Sequence, residues 1–161
     1  MKHPSSDIHP SAVIPDSSTV WAFCVLGMGV SLGENTSVGA GTELGNYTTV
    51  GEGTRIGKGC FLPHRSQIGR YVFIGPHVTF TDDKHPDVGK AHYKPQPPQV
   101  GDYASIGAAA VILPGITIGS AARIGAGAVV TRDVPAGETW FGVPARRHLA
   151  GPVIPSVVVE G

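Results

Sequence analysis

The residues best suited to acid–base chemistry lie next to one another in one polar segment. Asp82, Asp83, Lys84 and His85 are consecutive and are followed by Pro86. A neighbouring carboxylate can hold an imidazole ring and stabilise its charged form, and such a histidine suits a general base working near neutral pH. We predict that His85 accepts a proton and that Asp82 or Asp83 orients the ring or holds a substrate. The alternative is a solvated loop with no chemical role.

Three other histidines are weaker candidates. His92 lies in the same segment without flanking carboxylates. His77 precedes the segment at an outward position, where it either lines the same cleft or is a plain surface residue. His64 is interpreted as an outward side chain without a function.

A six-residue repeat of aliphatic side chains is what must position these residues. Nineteen positions on the repeat are all Ile, Val, Leu or Phe, thirteen from Ile8 to Phe80 and six from Val100 to Val130. A Gly usually comes directly after each repeat position, and a small or β-branched residue usually stands four places after it. This pattern is typical of a β-helix solenoid.

The repeat predicts an all-β fold. Each repeat would form a short strand and a turn, and three strands would make one coil of a triangular prism that buries the aliphatic residues by stacking. Nineteen repeats correspond to roughly six coils and a rod ~30 Å long at the usual strand spacing. We expect one domain over residues 1–150, including a closing segment, and a C-terminal tail at 151–161.

The repeat is interrupted once, between Phe80 and Val100. Stacked coils accept insertions only at their corners, where the extra residues leave the rod as a loop. We therefore predict an extruded loop at about 81–99, in which four prolines limit disorder. Polar loops on rigid scaffolds are common places for chemistry, and this one contains His85.

Charge and composition exclude several classes of function. The chain has 12 basic and 12 acidic residues, which gives no reason to expect a nucleic acid or an anionic membrane as partner. No apolar run approaches the ~18 residues of a membrane span, and no signal peptide is visible. We expect a soluble, cytoplasmic protein.

The two cysteines both fall in the inward slot four places after a repeat position. Cys24 and Cys60 would lie two coils apart, ~10 Å at the usual strand spacing. That separation exceeds the ~7 Å limit for a disulfide. We predict that both are buried, reduced and structural.

Three features together resemble the hexapeptide-repeat acyltransferases: the repeat, the loop and the closing pattern Gly-Val-Pro-Ala-Arg at 142–146. The resemblance spans residues 8–149. It implies a left-handed parallel β-helix, although general chirality rules favour right-handed crossovers. It also implies acetyl-CoA or another acyl-CoA as co-substrate, a homotrimer and no metal.

Two branches of that family compete. Residues 8–12, 20–23 and 75–86 are similar to the sugar-nucleotide aminosugar N-acetyltransferases, although Asp82 stands where those enzymes commonly carry Asn. The His85-Pro86 pair also matches the base of the galactoside and maltose O-acetyltransferases. The first branch is favoured and implies transfer of an acyl group from CoA to the amine of a nucleotide-linked amino sugar. The second implies O-acetylation of a sugar hydroxyl.

The resemblance also implies roles for residues outside the loop. For CoA these are two alanines at turns, and a hydroxyl and two guanidinium groups near the phosphate and adenine end: Ala108, Ala126, Thr131, Arg132 and Arg146. For the nucleotide-sugar substrate they are Trp21, His77 and Lys84. Trp21 either stacks on a nucleotide base or packs in a subunit interface.

Two further classes remain as alternatives. A γ-type carbonic anhydrase shares the rod but needs three histidines on zinc, and its characteristic histidine pair spaced five apart is absent from this sequence. A non-catalytic scaffold would have neither the loop histidine nor the closing pattern. We rank both below acyl transfer.

Overall fold

The structure is a computed structural model that describes residues 1–149. The predicted tail at 151–161 lies outside the described residues, and the predicted domain limit at 150 stays a prediction. The chain forms a continuous series of very short strands, most of them two residues long: β1 (Asp7–Ile8), β2 (Thr19–Val20), β3 (Val25–Leu26), β4 (Ser31–Leu32), β5 (Ser37–Val38), β6 (Glu43–Leu44), β7 (Thr49–Val50), β8 (Arg55–Ile56), β9 (Phe61–Leu62), β10 (Gln67–Ile68), β11 (Phe73–Ile74), β12 (Thr79–Phe80), β13 (Gln99–Val100), β14 (Ser105–Ile106), β15 (Val111–Ile112), β16 (Thr117–Ile118), β17 (Arg123–Ile124), β18 (Val129–Val130), β19 (Thr139–Phe141) and β20 (Arg146–His148).

The strands form three parallel sheets that are the sides of a prism. One has seven strands (β1-β3-β6-β9-β12-β15-β18), one has five (β16-β13-β10-β7-β4), and one has eight (β2-β5-β8-β11-β14-β17-β19-β20). Only the last pair, β19 with β20, is antiparallel. Each turn of the coil holds three repeats, since Asp7 pairs with Val25 and Val25 with Glu43. The predicted all-β solenoid is confirmed and is consistent with a left-handed β-helix.

The repeat positions form the core. All of them are buried except Ile8, which is partly buried. The slots four places later form a second inward row that includes hydroxyl groups. Thr42 and Thr54 each donate to a carbonyl oxygen of the next turn, of Gly57 and Gly69, at 2.8 Å. Within residues 1–149 no buried side-chain nitrogen or oxygen lacks a hydrogen-bond partner, so this polar row costs little.

Both cysteines occupy this inward row, as predicted. Cys24 and Cys60 are buried and free. Burial raises the pKa of each thiol because the thiolate loses its solvation. These thiols are therefore inert core groups.

The solenoid continues beyond the last repeat position of the sequence and reaches about seven turns in the seven-stranded sheet, against roughly six predicted. Val134 bridges to Ile118, and Trp140 pairs with Ile124. Both side chains are buried. Val134 follows Val130 by four residues instead of six. A strict six-residue count therefore misses both Val134 and Trp140.

Where glycine follows a repeat position, the next turn lies directly against it. A Cβ added to Gly51 would lie 2.6 Å from both the carbonyl oxygen of Gly69 and the backbone nitrogen of Arg70. Two residues later the backbone is left-handed in most repeats, and several non-glycine residues adopt this conformation, among them Asn35 at φ 57°.

We expect Gly51→Ala to lower the free energy of unfolding by about 2 kcal/mol or more, because the methyl group separates two hydrogen-bonded turns. Gly41→Asn is the matched control. Gly41 has φ +71° with nothing within 4 Å of an added Cβ, and Asn tolerates this conformation, so we expect a change within about 1 kcal/mol. Urea denaturation measures both, and equal losses would contradict the packing argument.

Candidate functional site

The extruded loop runs from 81 to 98, between β12 and β13, which agrees with the predicted limits to within one residue. It leaves the rod where the seven-stranded sheet passes to the five-stranded sheet. We call this edge the loop corner. Neighbouring turns contribute residues 63–65, 113–115 and 131–133 to the same edge.

A cleft of about 680 Å³ opens on the side of the loop that faces the C-terminal turns, and we call it the lower cleft. The loop supplies Asp83 and Lys84 to it, and the turn after β18 supplies Thr131 and Arg132. Leu113 adds an apolar surface. Within residues 1–149 neither Lys84 nor Arg132 forms an ion pair. These two cations share the cleft with the carboxylates of Asp83 and Asp133. A guanidinium suits phosphate.

His85 lies beside the lower cleft rather than in it. Together with Asp83 and His92 it lines a separate cavity of about 90 Å³, and its side chain is exposed. The Asp83 carboxylate accepts a hydrogen bond at 2.9 Å from the backbone N–H of His85, not from its ring. Asp83 therefore fixes the backbone that carries His85. The predicted base role of His85 stays a prediction.

Asp82 ties the two halves of the loop together. Its Oδ2 accepts a bond from the Tyr93 hydroxyl at 2.7 Å, and its backbone oxygen accepts one from the Gln96 N–H at 2.8 Å. The hydrogen bond to Asp82, with a smaller contribution from burial, raises the pKa of Tyr93 to about 12. Among the described contacts, the Asp82 carboxylate, like that of Asp83, forms no hydrogen bond to an imidazole ring. No spacing in the sequence marks Tyr93 as its partner.

Two further pockets lie on the opposite side of the loop, facing the N-terminal turns. The middle pocket, about 250 Å³, is lined by His64, Asp82, Asp83 and Tyr93 among others. The upper pocket, about 360 Å³, shares His64 and Tyr93 with it. His64, to which sequence analysis assigns no function, thus contacts both pockets. Asp83 lines the middle pocket and the lower cleft alike.

The remaining predicted residues lie mostly at another corner of the prism. Trp21, His77, Ala108 and Ala126 each follow a strand of the eight-stranded sheet and precede one of the seven-stranded sheet. We call this edge the alanine corner. Trp21 is 49% exposed. Within one chain, the seven-stranded sheet separates these four residues from His85.

Arg146 belongs to the closing hairpin that follows the last turn. It pairs with Phe141 across β19 and β20, its side chain is exposed, and its Nη1 donates to the Ala145 carbonyl at 2.9 Å. The neighbouring Arg147 instead forms an ion pair with Glu138 at 3.2 Å. Arg146 is thus a cation on a hairpin outside the lower cleft.

Residues 1–149 contain no group of three or more His, Cys, Asp or Glu side chains placed to hold a metal ion. They also contain no helix of the length and hydrophobicity that crossing a bilayer requires.

Comparisons with known proteins agree with this architecture. The family described as bacterial transferase hexapeptide (six repeats) matches residues 47–82 and 97–132. Galactoside O-acetyltransferase of Escherichia coli is 39% identical over 83 residues, which are 49% of this chain and 41% of that enzyme.

Two solved structures are also similar. PerB from Caulobacter crescentus, in complex with CoA and GDP-perosamine, has 30% sequence identity and a TM-score of 0.64; the match covers 89% of this chain and 56% of PerB. A hexapeptide-repeat acetyltransferase from Vibrio cholerae, complexed with acetyl coenzyme A, has 28% identity and a TM-score of 0.66; the match covers 74% of this chain and 69% of that one.

The predicted resemblance is therefore confirmed: residues 47–82 and 97–132 match the hexapeptide repeat, and the chain is similar to acetyltransferases built on the same repeat. The chain spans less than half the length of the curated relative named above. One of these similar proteins is named an O-acetyltransferase, and the structure of another contains GDP-perosamine.

The Asp82–Tyr93 hydrogen bond predicts that the Tyr93 phenol titrates at a higher pH than an ordinary tyrosine. The pKa of Tyr93 is raised above its unfolded value of about 10, so the bond stabilises the loop below pH 10 and this contribution is lost as the pH rises towards 12. We expect absorbance at 295 nm to resolve one tyrosine titrating at about pH 12, absent from Tyr93→Phe. Tyr71→Phe, which removes a different phenol, should retain it. If the absorbance step lost in Tyr93→Phe lies near pH 10 instead of near pH 12, the bond is disproved.

Proposed function

We propose that this protein transfers an acyl group, most simply acetyl, from CoA to the amine of a nucleotide-linked amino sugar. The observation that carries the proposal is the loop corner, where Asp83 and Lys84 meet Thr131 and Arg132 at the lower cleft with His85 beside it. The likeness to PerB, whose structure holds both CoA and a nucleotide-linked amino sugar, supports it. The direct test is thiol release from acetyl-CoA with a panel of amino-sugar nucleotides.

The lower cleft offers cations to the phosphates of the acyl donor, beside the carboxylates of Asp83 and Asp133. Arg132 offers a guanidinium for the phosphates of CoA, with Thr131 as a further polar contact. Lys84, which the resemblance assigns to the acceptor substrate, lines the same cleft and is a second cation for these phosphates. The donor's thioester would then lie towards Asp83 and His85. Arg146, a cation outside the cleft, would contact the far end of the same molecule.

The chemistry follows from the position of His85 beside the cleft. The amine nitrogen attacks the thioester carbon, the carbon–sulfur bond breaks, and the CoA thiolate leaves. His85 accepts the proton that the nitrogen loses. A backbone N–H near the thioester stabilises the oxyanion that develops on the carbonyl oxygen, a contribution typically worth ~3 kcal/mol. Asp83 positions His85 through its backbone.

Trp21, His77, Ala108 and Ala126 would take part only if a second rod brings its alanine corner against the loop corner of the first. A threefold assembly of prisms creates three equivalent clefts of this kind. We therefore propose a homotrimer with each site between two subunits. In this arrangement Ala108 and Ala126 leave room for the pantetheine arm, and Trp21 and His77 approach the acceptor.

O-acetyl transfer to a sugar hydroxyl is the second candidate. The similarity to a galactoside O-acetyltransferase favours it, as does the His-Pro pair in the loop. The two reactions differ in their need for a base: an amine whose pKa is near neutral attacks unaided, whereas a hydroxyl does not.

We expect His85→Ala to separate these reactions. With a hydroxyl acceptor the variant should lose about 10²- to 10⁴-fold in kcat/KM because proton removal is then obligatory, whereas with an amine the loss should be smaller. Thiol release with matched amino and hydroxy sugar nucleotides measures both. His9→Ala, which alters a histidine in the first turn, is the control and should keep full activity. An unchanged His85→Ala with every acceptor would remove the histidine from the mechanism.

Subunit exchange tests whether the site is shared. Ala108→Trp should fill the alanine corner, and His85→Ala should disable the loop corner. Mixed trimers of the two variants should regain about a quarter of the wild-type sites, because each site draws one corner from each of two subunits. Thiol release after exchange, with the acceptor on which His85→Ala loses most, measures the recovery. If the mixed trimers are no more active than the average of the two variants, the two corners do not form one shared site.

A further inference from the structure

The upper pocket carries an inference that rests on the proposed function and deepens it. Its wall is formed by Tyr47, His64 and Arg65 on two successive turns, and by Tyr93 and Pro95 of the loop. None of the described residues that line it is acidic. Its volume of about 360 Å³ lies within the range of small-molecule sites.

Tyr47 of this wall contacts its neighbours on two sides. The Tyr47 hydroxyl lies 3.0 Å from the Met28 sulfur, and the Arg65 guanidinium lies 6.0 Å from the centre of the Tyr47 ring. Within residues 1–149, Arg65 forms no ion pair. Its charge is therefore available to an external anion.

His64 adds a hydrogen-bond donor to the wall. Its Nδ1 accepts a bond from the backbone N–H of Asn46 at 2.8 Å. The neutral ring must then carry its proton on Nε2, which is a donor. The Tyr93 ring is fixed in turn by the bond from its hydroxyl to Asp82.

We infer that the upper pocket binds the nucleoside diphosphate portion of the acceptor. Aromatic rings stack on any base, with roughly 1–3 kcal/mol per stacked base, and a guanidinium pairs with phosphate in a bidentate manner. The Tyr93 ring, the Arg65 guanidinium and the His64 donor, with no carboxylate among the described lining residues, fit a planar and anionic ligand. They fit a neutral sugar poorly.

The arrangement of the pockets places this ligand correctly for the reaction. His64 and Tyr93 line both the upper and the middle pocket, and Asp83 continues from the middle pocket to the lower cleft and the cavity of His85. The acceptor therefore reaches His85 from the N-terminal side of the loop, with its sugar in the middle pocket. The acyl donor reaches it from the C-terminal side.

The test is calorimetric titration of the full chain with uridine, guanosine and thymidine diphosphates in the presence of saturating CoA. We expect at least one diphosphate to bind, and Arg65→Gln to raise its Kd about tenfold through loss of a charged hydrogen bond. Arg55→Gln is the control, since Arg55 is exposed on the outer face of the eight-stranded sheet, away from the loop corner. It should bind like wild type, and all three proteins should share one thermal unfolding midpoint.

Three results would overturn the inference: no diphosphate binds, CoA competes with the diphosphate, or Arg65→Gln binds as tightly as wild type. These outcomes are distinct from failure of the proposed function. Nucleotide binding with no thiol release from any acceptor would reject acyl transfer alone. Acylation of free amino sugars without nucleotide binding would reject the upper pocket alone.

Discussion

Stacking of successive coils on one another is the constraint on which the whole molecule depends. A coil of three repeats cannot bury its own aliphatic residues, so each turn is covered by the next at the spacing of a parallel sheet. Backbone hydrogen bonds between turns, such as that from Gly51 N–H to the Ile68 carbonyl, fix this register. The approach is so close that a methyl group on Gly51 would meet the backbone of the next turn. Interior positions therefore have little freedom, and chemical variety is confined to the corners and the outer faces.

At each corner of the prism, equivalent side chains of successive turns lie above one another in a column. At the loop corner, one column position holds Gly29, Tyr47 and Arg65 on successive turns, and the Tyr47 ring covers Gly29 and lies beneath the guanidinium. Tyr71 covers Gly53 in the same way at another corner and stacks on Tyr103, with ring centres 5.4 Å apart. The left-handed backbone at these positions aims each side chain along the rod. A surface of rigidly spaced aromatic and charged groups thus arises without any helix or long strand.

The loop acquires its shape from contacts that are not periodic. Asp82 and Tyr93 close it across its width, and Asp83 caps the backbone of His85. From the sequence, both carboxylates were candidates to hold the imidazole, because adjacency along the chain suggests contact. In the folded loop they hold a phenol and a peptide N–H instead. The sequence therefore predicted that Asp83 lies close to His85. It did not predict that the bond goes to the backbone N–H instead of the ring, because the local turn geometry of a loop determines which atoms meet.

The sequence by itself determined the solenoid, its inward rows, the buried cysteines and the position of the single excursion, because each of these depends only on the period of the aliphatic residues. Through a resemblance it also assigned Arg132 to CoA and Lys84 to the nucleotide-sugar substrate. The tertiary structure alone decided that the lower cleft joins these two cations, and that Trp21, His77 and the two turn alanines occupy a different edge from His85. Only the tertiary structure shows that His64, Arg65 and Tyr93 line a pocket. The physical reason is that a repeat specifies which way a side chain points, whereas the neighbours it meets depend on which corner its turn occupies and on how the loop folds back over the turns beside it.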